Sequence, residues 1–202
     1  MAARYAPSST TAQIGGDWYD SFVVPGGQTA AVIGDVAGHD LEAAVAMSQL
    51  RSMLRGIAID RQEPPAEVMR RLDMANHTLS QEATATCIYA LVTGPPDGPW
   101  ELKHSSAGHL PPLLTTREGD TRYLDGGSGL LLGMDGPARP SATDALPAHS
   151  TVLLYTDVSS SAATNPSTTP WTAPPAYRGP GRRTPRRLLR RTPHRLSADS
   201  AD

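Results

Sequence analysis

Apolar positions along this chain change their spacing from one stretch to the next, and each spacing implies an element. Residues 29–35, Thr-Ala-Ala-Val-Ile-Gly-Asp, form a short apolar run that ends on an acidic turn, which predicts a strand. Beyond it, Ala43, Met47, Leu50, Leu54 and Ile57 recur at spacings of 4, 3, 4 and 3, one face of a helix of about 20 residues. Asp40 is placed to cap that helix, and Glu42 suits the positive end of its dipole. Pro64 and Pro65 open a second helix where a missing amide costs little, with Val68, Leu72, Ala75 and Leu79 as its stripe. Arg51, Arg55, Arg70 and Arg71 read as solvated helix faces.

Strand chemistry takes over after the second helix. Residues 86–93 are rich in β-branched and aromatic side chains, 94–99 supply a turn, and 100–105 alternate like a return strand. Further short strands are predicted at 112–116, 121–124 and 151–156. Two helices followed by an antiparallel series imply an α+β layered domain and no parallel Rossmann sheet. After Asp157 the periodicity stops. Ser, Thr, Ala and Pro fill residues 159–176 and an Arg/Pro-rich stretch follows, so a domain over 1–157 and a disordered tail over 158–202 are expected.

Charge divides the chain at the same point. Of 202 residues, 39% are hydrophobic and 19% charged, with net charge −2. Residues 1–157 carry 18 acidic against 10 basic groups, a balance of −8, whereas residues 158–202 carry 8 Arg against 2 Asp, a balance of +6. Lys103 is the only lysine among 18 basic residues, a bias that fits a GC-rich coding sequence. The single cysteine, Cys87, excludes an internal disulfide and points to a reducing, cytoplasmic setting. No apolar run approaches the roughly 20 residues that span a bilayer, and no signal-peptide core is present, so a membrane partner is not expected. The eight tail arginines suggest a basic arm, but without interleaved aromatic residues, and with so much proline, nucleic acid is not the expected partner.

Three acidic turns carry the chemistry: Gly15-Gly16-Asp17-Trp18-Tyr19-Asp20, Gly34-Asp35-Val36-Ala37-Gly38-His39-Asp40 and Tyr155-Thr156-Asp157. Asp35 and Asp157 each follow an apolar strand, so a rigid element holds the carboxylate at an open edge. Carboxylates converging there would repel one another unless a hard divalent cation, Mg²⁺ or Mn²⁺, sat between them. Cys87 lies in a predicted strand and reads as core, Trp18 packs the core edge, and Asp20 caps its loop. His39 and His109 sit in glycine turns, where each could touch substrate, donate a proton or simply structure the loop.

These motifs resemble the SpoIIE branch of the PPM metal-dependent serine/threonine protein phosphatases. The resemblance rests on Gly-Gly-Asp-Trp-Tyr-Asp at 15–20, Ala-Val-Ile-Gly-Asp-Val-Ala-Gly-His at 31–39, Ala-Thr-Cys-Ile-Tyr-Ala at 85–90, Ser-Ala-Gly-His-Leu-Pro-Pro-Leu-Leu at 106–114 and Leu-Leu-Tyr-Thr-Asp at 153–157. It implies a layered α/β/β/α sandwich with antiparallel sheets, incomplete at both ends here, since the first residues resemble the inside of the family's second strand. It also implies two divalent ions, with Asp35 bridging them, the Val36 carbonyl holding one, Asp17 in the same cluster through water, and Asp157 on the other. A water between ions about 3.5–4 Å apart would attack phosphorus in line, with no covalent intermediate and no assignable general acid. The implied substrate is a phosphorylated regulatory protein, an anti-sigma-factor antagonist. A non-catalytic pseudophosphatase that keeps only partner binding is the alternative.

Family members continue past the Thr-Asp turn with Gly-Leu-Val-Glu, a helix and a strand bearing a last metal-binding aspartate. This chain reads Val158-Ser159-Ser160-Ser161 instead, and Asp199 and Asp202 have no apolar strand to place them. Back-translated with GC-rich codons and given one extra G after codon 157, the tail becomes Gly-Leu-Val-Glu-Arg-Arg-Asp-Glu, the family's continuation. Nucleotide sequencing across codon 157 is expected to reveal a single-base loss; a well-supported, uninterrupted frame would contradict that expectation.

Overall fold

The computed structural model describes residues 15–78, 83–95 and 98–156. Strands β1 (Asp17–Val23) and β2 (Thr29–Val36) come first, followed by helices α1 (Leu41–Arg61) and α2 (Pro65–Thr78). Then come β3 (Ala85–Thr93), β4 (Trp100–Ala107), β5 (Leu113–Thr115), β6 (Thr121–Tyr123), β7 (Ser128–Gly129), β8 (Ala142–Leu146) and β9 (Thr151–Leu153). The tail, Leu79 of the expected stripe and Asp157 lie outside the described residues.

The larger sheet runs β1-β2-β3-β4, and two strands share the far edge of β4. Strand β8 pairs antiparallel with residues 100–104, and β7 pairs with Ser106 and Ala107. The smaller sheet is β6-β5-β9. The pairings are antiparallel as expected except β4 with β7, which is parallel. That exception follows from the route of the chain, which leaves β4, crosses the smaller sheet through β5 and β6, and returns in the original direction.

Two cores result, one on each face of the larger sheet. Trp18, Phe22, Val32, Val36, Cys87, Tyr89 and Leu91 meet Leu50, Leu54, Val68, Met69 and Leu72 of the helices. On the opposite face Ile33, Ile88, Ala90 and Leu102 meet Leu114 and Leu124 of the smaller sheet's segment, with Val152 and Leu154 beside them. Each large apolar side chain buried this way contributes about 1.5–3 kcal/mol. The fold is α+β and has the α/β/β part of the expected sandwich. No helix covers the outer face of the smaller sheet among the described residues. Nor is any described helix long and apolar enough to cross a membrane.

Local chemistry explains the elements. The Asp40 carboxylate accepts from the Ala43 amide at 2.8 Å and starts α1. On α1 the fully buried set is Ala43, Ala46, Leu50, Leu54 and Ala58, while Met47 and Ile57 are only half-buried. The small alanines let the helix lie close to the sheet and push the larger side chains to the flank. Arg55 and Arg51 are not simply solvated: they pair with Asp20 at 3.3 and 3.7 Å, and Arg55 also lies 4.9 Å from the Phe22 ring centre.

The segment read as a first acidic turn is instead the start of β1. Its inward side chains are Trp18, Asp20 and Phe22, and the charged middle member hides the alternation. Asp20 therefore sits on a strand, accepting from the Ser21 amide and from Arg55, with Arg51 as a second ion-pair partner. Trp18 lies across Gly34: a Cβ there would come within 2.3 Å of the indole ring and 2.7 Å of the Thr86 carbonyl oxygen. Replacing Gly34 by Ala is expected to lower unfolding free energy by about 1–3 kcal/mol in a urea titration, with Trp18→Leu partly offsetting the loss. An unchanged midpoint for Gly34→Ala would contradict this packing.

Candidate metal centre

The register of the first two strands sets Asp17 directly opposite Asp35. Paired residues of antiparallel strands project to the same face, with Cα atoms about 4.5–5.5 Å apart. Here that face is the one turned toward the smaller sheet, because Ile33, two residues before Asp35, packs there. Both aspartates are half-buried at the end of the sheet. Thr86 is the register partner of Asp35 on β3, so the row continues as Asp17, Asp35, Thr86.

Gly16 keeps the site open. A Cβ on it would lie 2.2 Å from the Val36 carbonyl oxygen and 3.0 Å from Asp35 Oδ1. The Val36 amide donates to the Gly16 carbonyl at 3.2 Å, which fixes the approach. An absent side chain thus leaves room beside the Asp35 carboxylate and the Val36 carbonyl, and Asp17 stands across the register from Asp35. This all-oxygen donor set fits a hard divalent cation such as Mg²⁺ or Mn²⁺. Among the described residues no group of three or more His, Cys, Asp or Glu side chains gathers for a metal. Two carboxylates are therefore what the described part brings together, and Asp157 lies beyond it.

His109 and His39 part company. His39 is exposed in the turn between β2 and α1. His109 is 7% exposed, with Nδ1 2.7 Å from Thr86 Oγ1 and Nε2 3.1 Å from the Tyr155 carbonyl oxygen. Its ring spans the two sheets and structures the loop. Thr86 and the Tyr155 carbonyl were not singled out from the sequence. A threonine in a strand and a backbone oxygen carry no sequence signal of their own.

Other polar groups serve the scaffold. His104 Nε2 meets Asp144 Oδ2 at 3.0 Å, and Arg122 Nη1 of the smaller sheet reaches Asp144 Oδ1 at 2.9 Å. Burial works against ionising Asp144, but the bonds from His104 and Arg122 outweigh it and hold its carboxyl below the usual range. Cys87 is fully buried, and burial pushes its thiol well above the ordinary value, so it is core and no nucleophile. An open cleft of about 540 Å³ reaches Val36 and Ala37 from the helix side, between Ala83, Thr84 and the first turns of α1. Its lining includes the Asp40 and Glu42 carboxylates, and neither Asp17 nor Asp35 is among its lining residues.

Comparison with known proteins identifies the family and the fold. The family model described as Stage II sporulation protein E (SpoIIE) matches residues 25–171, a stretch that includes Asp35 and Asp157 and begins after Asp17. Among solved structures, the RsbU and RsbW domains of a Mycobacterium tuberculosis protein are 31% identical over 75% of this chain and 42% of that one, with a TM-score of 0.65. The SiaA PP2C domain of Pseudomonas aeruginosa is 16% identical over 68% of this chain and 53% of that one, at a TM-score of 0.57. RsbX in complex with magnesium is 14% identical over 70% of this chain and 65% of that one, at 0.53. The last two likenesses are of fold alone. The chain spans 42% and 53% of the first two structures, about half their length.

Like charges directly opposite on paired strands destabilise a sheet by roughly 0.2–1 kcal/mol. Asp17→Asn and Asp35→Asn are therefore each expected to raise the melting temperature in metal-free buffer. Both should abolish the further rise that Mn²⁺ gives the unaltered chain by binding the folded state. A Mn²⁺-induced rise that survived in both variants would contradict the assignment.

Proposed function

The chain belongs to the family of Stage II sporulation protein E, and from that premise we propose that it hydrolyses phosphoserine or phosphothreonine on a regulatory protein. One observation carries the reading: Asp17 and Asp35 are direct register partners at a strand end, and Gly16 keeps the space beside Asp35 Oδ1 and the Val36 carbonyl open. The magnesium in the RsbX structure supports a divalent ion for the fold, and the pairing of RsbU with an RsbW domain in the M. tuberculosis protein supports a regulatory partner.

In this proposal Asp35, Asp17, the Val36 carbonyl and Asp157 hold the cations. Divalent ions bound there would supply a nucleophilic water near neutral pH and offset charge on the phosphate oxygens. The chain's own part is positional. Two strands joined along a seven-residue register keep the carboxylates from moving independently, and Trp18 packed across Gly34 stiffens the pair from behind. His39, exposed in the turn after β2, is in this reading a contact for the incoming phosphoprotein. Buried Cys87 is out of reach of any phosphate, which leaves no thiol route.

A second reading is a pseudophosphatase that binds its partner without turnover. It draws on the pair of carboxylates, and no larger acidic group, among the described residues. The distinguishing experiment is phosphate release from a phosphoserine peptide with Mn²⁺. The proposal expects slow, Mn²⁺-dependent release that falls about 100-fold or more in Asp35→Ala, as loss of a metal ligand should cause. Release equal in Asp35→Ala and the unaltered chain would contradict it. Peptide binding with no release by either would favour the second reading.

A further inference from the structure

Asn76, in the last turn of α2, is 2% exposed and shares the buried face of that helix with Val68, Met69 and Leu72. A side-chain amide in such a place costs stability unless both of its ends are bonded. Here both ends are spent on one residue. Nδ2 donates to the Ala83 carbonyl at 2.9 Å, and Oδ1 accepts from the Ala83 amide at 3.3 Å. Gly133 makes room for this clamp: its φ is +80°, and a Cβ on it would lie 2.8 Å from the Ala83 carbonyl oxygen and 3.4 Å from Asn76 Nδ2. Packing of α2 alone asks for no such group, since an apolar residue of similar volume would fill the space.

What the clamp holds leads to the end of β2. Ala83 is followed by Thr84, whose carbonyl accepts from the Ala37 amide at 2.9 Å. The next residue, Ala85, is the register partner of Val36 and bridges to Leu132. The Val36 carbonyl and the Ala37 amide belong to one peptide group. That group is planar and trans, so its C=O and N–H point in opposite directions. Fixing the Ala37 N–H toward Thr84 therefore turns the Val36 carbonyl the other way, toward Gly16, where a Cβ would come within 2.2 Å of it.

We propose that Asn76 is a positioning residue of the metal centre: by clamping Ala83 it holds the Thr84 carbonyl against the Ala37 amide, and so sets the direction of the Val36 carbonyl. The proposal rests on the metal-centre reading above, with that carbonyl as a ligand. Val36 has no side-chain oxygen to offer in its place, so a rotated peptide plane removes the ligand outright. Groups that orient metal ligands from outside the coordination sphere typically account for about 10–100-fold in metal affinity.

The test reads two quantities on the full chain: Mn²⁺ affinity, from the electron paramagnetic resonance signal of the free ion, and exchange of single amide hydrogens in metal-free buffer, by nuclear magnetic resonance. Asn76→Leu, which fills the space and removes both bonds, is expected to weaken Mn²⁺ binding about 10–100-fold. In the same variant the Ala37 amide should exchange about 10-fold faster, while the amides of Tyr89 and Ala90, in the middle of β3, keep their rates. Asn76→Asp retains the acceptor for the Ala83 amide and should lose an intermediate amount of affinity. Unaltered affinity in folded Asn76→Leu overturns the proposal. So does an unaltered Ala37 amide, because the affinity would then be lost by another route. Equal acceleration at Ala37, Tyr89 and Ala90 also overturns it, since Asn76 would then serve stability alone. Should Asn76→Leu fail to fold, Asn76→Asp decides, and affinity equal to the unaltered chain overturns the proposal. Asp35→Ala separates this failure from that of the underlying reading: it must abolish Mn²⁺ binding, and if it does not, the metal centre itself is wrong.

Discussion

Two carboxylates held face to face across paired strands are the constraint around which this end of the molecule is organised. Asp17 and Asp35 cannot move apart without breaking the β1–β2 register, which is fixed residue by residue from Asp17 to Val23. Like charges directly opposite on paired strands weaken a sheet by roughly 0.2–1 kcal/mol. A protein gains nothing from such an arrangement when folding alone is at stake. It becomes intelligible when a doubly charged cation occupies the gap, since the same geometry then supplies preorganised oxygen ligands.

The rest of the fold keeps that geometry rigid from three sides. From behind, Trp18 seals against Gly34, and the core beneath it is completed by Leu50, Leu54 and Leu72 from the helices. Along the strand, Gly16 gives way so that the Val36 carbonyl and Asp35 Oδ1 stay clear. Across the sandwich, His109 ties Thr86 to the chain leaving β9, while Arg122 and Asp144 tie the smaller sheet to β8 farther along. These two polar links lie at separate points, with Ile33, Ile88, Leu102 and Leu114 packed apolar between the sheets.

Much of this was legible in the sequence, and what was not has physical causes. The helices declared themselves through spacing and through the Asp40 cap. The central strands β2 and β3 were legible as apolar runs. Strand β1 was not, because inward-facing Asp20 interrupts its alternation and its charge is met only by Arg51 and Arg55, 31 and 35 residues later in the sequence. Strand β8 was hidden similarly: Asp144 faces inward, and only His104 and Arg122 make that tolerable. Strand β7 has two residues and exists only by pairing with β4. For the site, the aspartates and their glycines stood out by motif, and their direct opposition in register required the fold. Thr86 and the Tyr155 carbonyl became visible only as the two ends of a hydrogen-bonded histidine.

The direct measurement is anomalous scattering at the manganese edge from crystals of the chain grown with Mn²⁺. A peak between the Asp17 and Asp35 carboxylates, within coordination distance of the Val36 carbonyl oxygen, is the predicted result. Saturating Mn²⁺ with no peak there, or with the two carboxylates turned away from each other, would contradict the account.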